Sequence, residues 1–175
     1  MLFRSIKGEL YSLGAGDVQI PLGMKIKYKN VNPDSTVKID DGKISFKVVK
    51  KENDYTLILR ALNDGTILPA KGVNFPNIEL DLPSVTTKDL EDLKLAIKLD
   101  VDWIALSFVR SAQDRDVIDT IFKISRKKIP LLAKIEKPEA IQNLRAIVDA
   151  FEGILVARGD LGVEMPLEQV PILQK

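Results

Sequence analysis

Two spacings of apolar residues divide this chain. In about the first eighty residues apolar and polar positions alternate, the period at which a strand turns successive side chains to opposite faces. Met24-Lys25-Ile26-Lys27-Tyr28-Lys29 and Lys43-Ile44-Ser45-Phe46-Lys47-Val48 both show it, and Tyr55-Thr56-Leu57-Ile58-Leu59 continues in strand-forming residues. Asn32-Pro33-Asp34, Asp41-Gly42, Asn53-Asp54 and Asp64-Gly65 supply turns between these runs. The pattern predicts a small barrel-like or sandwich module of short antiparallel strands.

From about residue 83 the spacing becomes helical. Thr86-Thr87-Lys88-Asp89 resembles a capping box, followed by Leu90, Leu93 and Ile97 on one face. Val101 to Phe108 is predicted as a buried strand. Ser111-Ala112-Gln113-Asp114 caps a second helix with Val117, Ile118, Ile121 and Phe122 inward and Arg126, Lys127 and Lys128 in its last turn. A strand from Leu131 follows. Pro138 then opens a helix lined by Ile141, Leu144, Val148 and Phe151, and a strand begins near Ile154. Strands apolar almost throughout, alternating with helices, predict a parallel sheet covered on its faces. A (β/α)8 barrel and an open doubly wound sheet both fit. The barrel is preferred because all three strands end in functional-looking residues. Three strands cannot close an eight-stranded barrel, so an internal segment of a longer enzyme is expected.

Composition narrows the chemistry. The 175 residues are 45% hydrophobic and 29% charged, as in ordinary globular proteins, and 26 Lys plus Arg against 25 Asp plus Glu leave a net charge of +1. No broad field is available for nucleic acid or a membrane surface, so recognition falls to a local site. Without cysteine there is no thiolate metal site, and without histidine proton transfer falls to carboxylate, Lys, Tyr or water. Met1-Leu2-Phe3 meets Arg4 at once, and no long uncharged run follows, which fits a cytoplasmic setting.

The chemistry-bearing positions sit at the predicted strand ends. Leu131-Leu132-Ala133-Lys134-Ile135-Glu136 and Gly153-Ile154-Leu155-Val156-Ala157-Arg158-Gly159-Asp160-Leu161-Gly162 both run from apolar residues into charge. On a strand, residues two apart share a face, so Lys134 is expected to point with Glu136, and Arg158 with Asp160. Two carboxylates on neighbouring strands suit Mg2+ or Mn2+, with substrate oxygens or water completing the sphere. An ammonium beside them stabilises a developing enolate or a transferring phosphoryl group. A structural ion network capping the sheet is the alternative reading of the same four residues.

Ala133-Lys134-Ile135-Glu136 and Val156-Ala157-Arg158-Gly159-Asp160-Leu161-Gly162-Val163-Glu164 together closely resemble the pyruvate kinase family. Ala105-Leu106-Ser107-Phe108-Val109-Arg110, Lys71-Gly72-Val73-Asn74-Phe75-Pro76 and Asp40-Asp41-Gly42-Lys43-Ile44-Ser45 extend the likeness in order along most of residues 20–175. The resemblance implies an α/β fold: strands four to six of a (β/α)8 barrel at residues 71–175, and an inserted all-β lid at residues 1–70. It implies Lys134 as the transition-state stabiliser that also contacts substrate, and Glu136 and Asp160 as ligands of Mg2+ or Mn2+. The amides of Gly159 and Asp160 would hold the carboxylate of phosphoenolpyruvate or pyruvate. Lys71 and Asp41 would reach the phosphates of ADP or ATP. The parent would be a homotetramer, with any K+ site outside this chain, and the segment alone inactive. Two other readings stand beside it. One is a metal-dependent aldolase or lyase of the wider phosphoenolpyruvate/pyruvate barrel group, which would lack the lid; the other is a non-catalytic fragment.

Overall fold

The alternating half of the sequence folds as strands: β1 (Phe3–Ser5), β2 (Leu10–Gly14), β3 (Ile20–Pro21), β4 (Tyr28–Lys29), β5 (Thr36–Ile39), β6 (Ile44–Asn53), β7 (Thr56–Ala61), β8 (Gly65–Ile67), β9 (Val73–Asn74) and β10 (Glu79–Leu80). The structure is a computed structural model and describes residues 3–76, 78–80 and 82–175; Met1 and Leu2, part of the apolar start, lie outside the described residues. Six strands form one sheet in the order β3-β2-β7-β6-β5-β9, while β1 pairs with β8 and β4 with β10. Every pairing is antiparallel except β2 with β3. The period-2 pattern does its expected work in β6, where Ile44, Phe46 and Val48 are buried and Lys47 is exposed. These side chains join Leu13, Val37, Ile39, Leu57 and Leu59 in the core of this unit.

The Met24–Lys29 alternation gives a shorter strand than its pattern predicts. Only Tyr28 and Lys29 find ladder partners, Leu80 and Glu79, although Ile26 and Tyr28 are both buried. The inward alternation survives there without the hydrogen bonds of a strand. The chain divides into two units, Met1–Leu82 and Pro83–Lys175. The boundary thus falls later than the expected residue 70, because β9 pairs back onto Lys38 and Ile39 of β5, and β10 onto β4.

The second unit runs α1 (Thr87–Leu99), β11 (Ile104–Leu106), α2 (Asp116–Ser125), β12 (Leu131–Ile135), α3 (Pro138–Gln142), α4 (Leu144–Ala150), β13 (Gly153–Val156), α5 (Arg158–Glu164) and α6 (Val170–Leu173). Its sheet is parallel with β12 central, Leu106 level with Ala133 and Ile135 level with Val156. Thr86 caps α1 in a capping box with Asp89, as its sequence predicts. Leu131, Ala133 and Ile135 of β12 anchor the core with Ile118, Phe122, Ala140 and Ile147. Among the described residues no helix is long and apolar enough to cross a membrane.

Four expectations are corrected here. The strand expected over Val101–Phe108 narrows to β11, with Trp103 and Phe108 about half exposed beside it. No strand of this sheet is buried throughout: β12 alternates buried Leu131, Ala133 and Ile135 with half-buried Leu132 and Lys134. In β13, paired among the described residues only to β12, Ile154 and Leu155 are each 41% exposed. Helix α2 ends at Ser125; Arg126 caps it at φ 55, so Lys127 and Lys128 lie beyond the last turn and pair with Asp100 and Glu152. The single helix expected after Pro138 breaks at Asn143, whose side-chain amide donates to the Arg110 carbonyl at 2.9 Å.

Candidate catalytic centre at the strand ends

Glu136 follows directly on β12, and strand alternation places it on the side of Lys134. The Lys134 Nζ lies 2.6 Å from Glu136 Oε1 and donates to the Ser107 hydroxyl at 3.2 Å. Glu136 is 1% exposed. Its Oε2 accepts from the Phe108 N–H at 3.1 Å. Its Oε1 has no directed hydrogen bond, so the Lys134 contact at that atom is one of charge rather than of hydrogen-bond geometry. A carboxylate buried this far is costly unless its oxygens are engaged, and one of them is engaged only by a cation. Phe108 itself adopts φ 57, a left-handed conformation that costs a side-chain-bearing residue about 1–2 kcal/mol.

The second acid arrives differently from the expected strand. The Ala157 N–H donates to the Ile135 carbonyl at 3.2 Å, and the chain then turns at once into α5. Arg158, Gly159 and Asp160 are therefore the first helical residues. Two positions apart on a helix is roughly 200° of rotation, so Arg158 and Asp160 do not share a face. The first intrahelical bond runs from the Leu161 N–H to the Ala157 carbonyl at 2.9 Å, which leaves the earlier amides, those of Gly159 and Asp160 included, without helical acceptors. A Cβ added at Gly159 would meet no atom within 4 Å, so the protein's own packing does not demand glycine there.

Lys137, next after Glu136, forms an ion pair with Glu164 at the other end of α5. The Glu164 side chain is 3% exposed and that of Lys137 21%. This pair ties the segment carrying Gly159 and Asp160 to the end of β12. Its two members are twenty-seven residues apart in sequence, and no local spacing announces them.

In the other unit Lys71 lies 3.0 Å from Asp40 Oδ1, while Lys43 lies 3.0 Å from Asp40 Oδ2. Sequence reasoning chose Asp41, which is exposed; the residue that engages Lys71 is Asp40. Asp40 and Asp41 both take φ 55 and Gly42 φ 85, so the whole turn is left-handed. The Asp40 N–H also donates to the Gly72 carbonyl at 3.0 Å. Hydrogen bonds from Lys71, then from Lys43, hold the Asp40 carboxyl below its ordinary value. Its folded pKa thus lies below its unfolded one. The stabilisation is complete above the unfolded value, near 4, and is lost as the pH falls through the folded value. Lys71→Ala should move the Asp40 titration upward in carboxyl-carbon NMR, and an unmoved midpoint would show that Lys71 does not hold it.

The structure therefore brings Lys134 and Glu136 into contact and sets Gly159 and Asp160 on the helix that leaves the adjacent strand. Lys71 and Asp41 belong to the other unit. Among the described residues no group of three or more acidic, His or Cys side chains could hold a metal. Of the two carboxylates expected to hold a cation, Glu136 has a buried oxygen facing only an ammonium.

A parallel sheet presenting lysine and carboxylate at its strand ends defines the class: a mixed α/β protein. The family model for the pyruvate kinase barrel domain matches residues 8–175, and the chain belongs to the pyruvate kinase family. A pyruvate kinase of Corynebacterium glutamicum is 43% identical over 147 residues, 84% of this chain and 31% of that protein. One of Mycobacterium tuberculosis is 43% identical over 152 residues, 85% of this chain and 32% of its own length. One of Clostridium perfringens is 36% identical over 178 residues, 96% of this chain and 37% of that protein. The chain spans about a third of the length of these curated relatives.

Proposed function

We propose that this chain carries the core of a centre that transfers a phosphoryl group from phosphoenolpyruvate to ADP, giving pyruvate and ATP. The observation that carries the reading is the buried Lys134–Glu136 contact, in which a nearly inaccessible carboxylate keeps one oxygen for a cation alone. Burial alone is weak evidence that such a pair is kept for stability, since apolar replacements often match or exceed buried ion pairs, by about 1–4 kcal/mol.

In this reading Glu136 and Asp160 hold Mg2+ or Mn2+. A bound divalent cation neutralises charge on the transferring phosphoryl group and on the enolate oxygen. Lys134 presents its ammonium to the same developing charge, anchored by the Ser107 hydroxyl. The Gly159 and Asp160 amides, at the first turn of α5, bind the substrate carboxylate, and the bare α-carbon of Gly159 leaves room for it. Phosphoryl transfer depends mostly on positioning and charge stabilisation, which these groups are suited to supply. Lys71 binds nucleotide phosphate, with Asp41 beside it; Asp40 keeps the Lys71 ammonium in place until the nucleotide arrives. The sheet β11-β12-β13 then corresponds to strands four to six of a (β/α)8 barrel, and the strand-rich unit to its lid, in a cytoplasmic, homotetrameric parent.

The test is a coupled assay on a protein that carries this sequence within the full length of its relatives. ADP-dependent and divalent-cation-dependent formation of pyruvate and ATP is the expected result. Aldol cleavage of a pyruvate adduct, with no ADP-dependent ATP, would overturn the reading in favour of a lyase.

A further inference from the structure

The turn that leaves β11 touches both members of the Lys134–Glu136 pair through consecutive residues: the Ser107 hydroxyl receives Lys134, and the Phe108 N–H donates to Glu136. Phe108 is an unexpected choice for that place. It is 54% exposed, so its ring fills no core, and its φ of 57 is a genuine outlier for a bulky side chain. Strain of this kind persists where the surroundings hold it, and it is the starting point for a functional argument. Here the surroundings include a carboxylate that is 1% exposed and has one oxygen committed to that N–H.

We propose that Phe108 is a positioning residue for the two-carboxylate metal site, on whose assignment this inference rests. Its left-handed backbone aims its own N–H at Glu136 Oε2 and so fixes the orientation of the carboxylate, whose Oε1 faces Lys134; the ring is incidental. With the chain fixed on either side, moving φ to negative values rotates the peptide plane between Ser107 and Phe108. That rotation carries the N–H away from Oε2, and Glu136 is then free to turn. The Lys137 ammonium, 6.0 Å from the ring centroid, is at the outer limit of a cation–π contact and accounts for little.

The proposal ranks substitutions by their tolerance of positive φ rather than by size or hydrophobicity. Glycine and asparagine adopt that conformation readily, β-branched isoleucine resists it, and proline both forbids it and lacks the N–H. Mn2+ affinity of the chain, read from the free Mn2+ signal in electron paramagnetic resonance, should stay within about twofold in Phe108→Gly and Phe108→Asn. It should weaken by about 10–100-fold in Phe108→Ile and Phe108→Pro, the cost of losing a hydrogen-bond partner to a metal ligand. Equal loss in Phe108→Gly and Phe108→Ile would give the task to the ring and overturn the proposal. So would unchanged affinity in Phe108→Ile, the variant that keeps its N–H.

A metal-free measurement separates this inference from the site assignment. In the 15N-labelled chain the Phe108 amide proton should move upfield in Glu136→Gln, as a charged acceptor is replaced by a neutral one. An unmoved resonance would overturn the positioning role. If the unsubstituted chain binds no Mn2+, or binds it equally after Glu136→Gln and Asp160→Asn, the two-carboxylate assignment fails. The amide shift then still decides whether Phe108 holds Glu136.

Discussion

Lys134→Met is expected to lower kcat by about 10²-fold or more with little change in KM, in a protein carrying this sequence at its relatives' full length. Methionine keeps the apolar stem and removes only the charge that sits 2.6 Å from Glu136 Oε1 and 3.2 Å from the Ser107 hydroxyl. An ammonium in that place interacts most strongly once negative charge has developed on the substrate. Its loss therefore falls on the transition state more than on the bound ground state. The donor oxygens of Glu136 and Asp160 survive the substitution, so Mn2+ binding should persist. Steady-state kinetics beside a Mn2+ titration separates the two effects, and thermal melts in the presence of the cation exclude simple unfolding. A near-normal kcat would remove Lys134 from the chemistry.

The residues of this centre differ in how visible they are in sequence. Lys134 and Glu136 could be read because strand alternation is rigid: positions two apart share a face whatever else the fold does, and the two side chains do meet. Asp160 stands out by its place after an apolar run, but that run predicts a strand end where the chain has already begun a helix. The run Gly153–Val156 ends sooner than its apolar character suggests, and Arg158 already belongs to a helix. Phe108 carried no signal of its own, since an aromatic residue after a strand predicts extended backbone and not a positive φ. Asp40 was hidden beside Asp41. Either carboxylate could have turned toward Lys71, and no local period says which one does. Lys137 and Glu164 meet only because α5 folds back toward β12, a tertiary fact with no local period. Local periods carried the interiors of β6, β7 and β12, whereas the edge strands β11 and β13 departed from them, because each has a neighbour on one side only.

Lys137→Met is expected to destabilise the second unit by about 1–3 kcal/mol, because it removes an ammonium from a buried carboxylate. The size follows from burial. A surface pair of the same residues would contribute about 0.2–1 kcal/mol, but the Glu164 side chain is 3% exposed and that of Lys137 21%. Urea unfolding can be followed by the fluorescence of Trp103, the single tryptophan, which lies in this unit. The double substitution Lys137→Met with Glu164→Leu removes both charges and restores apolar packing. It should recover part of the loss, giving a coupling energy of about 0.5–3 kcal/mol. Mn2+ affinity adds a second reading, since the pair fastens α5, and with it Asp160, to the end of β12. If the pair only fills space, stability and affinity return together in the double variant. If it sets the placement of Asp160, stability returns while affinity stays low, because two apolar side chains make a contact without the direction of an ion pair. A loss below about 0.5 kcal/mol for Lys137→Met would mean that the pair behaves as a surface contact and that α5 is held by its apolar face instead, through Leu161.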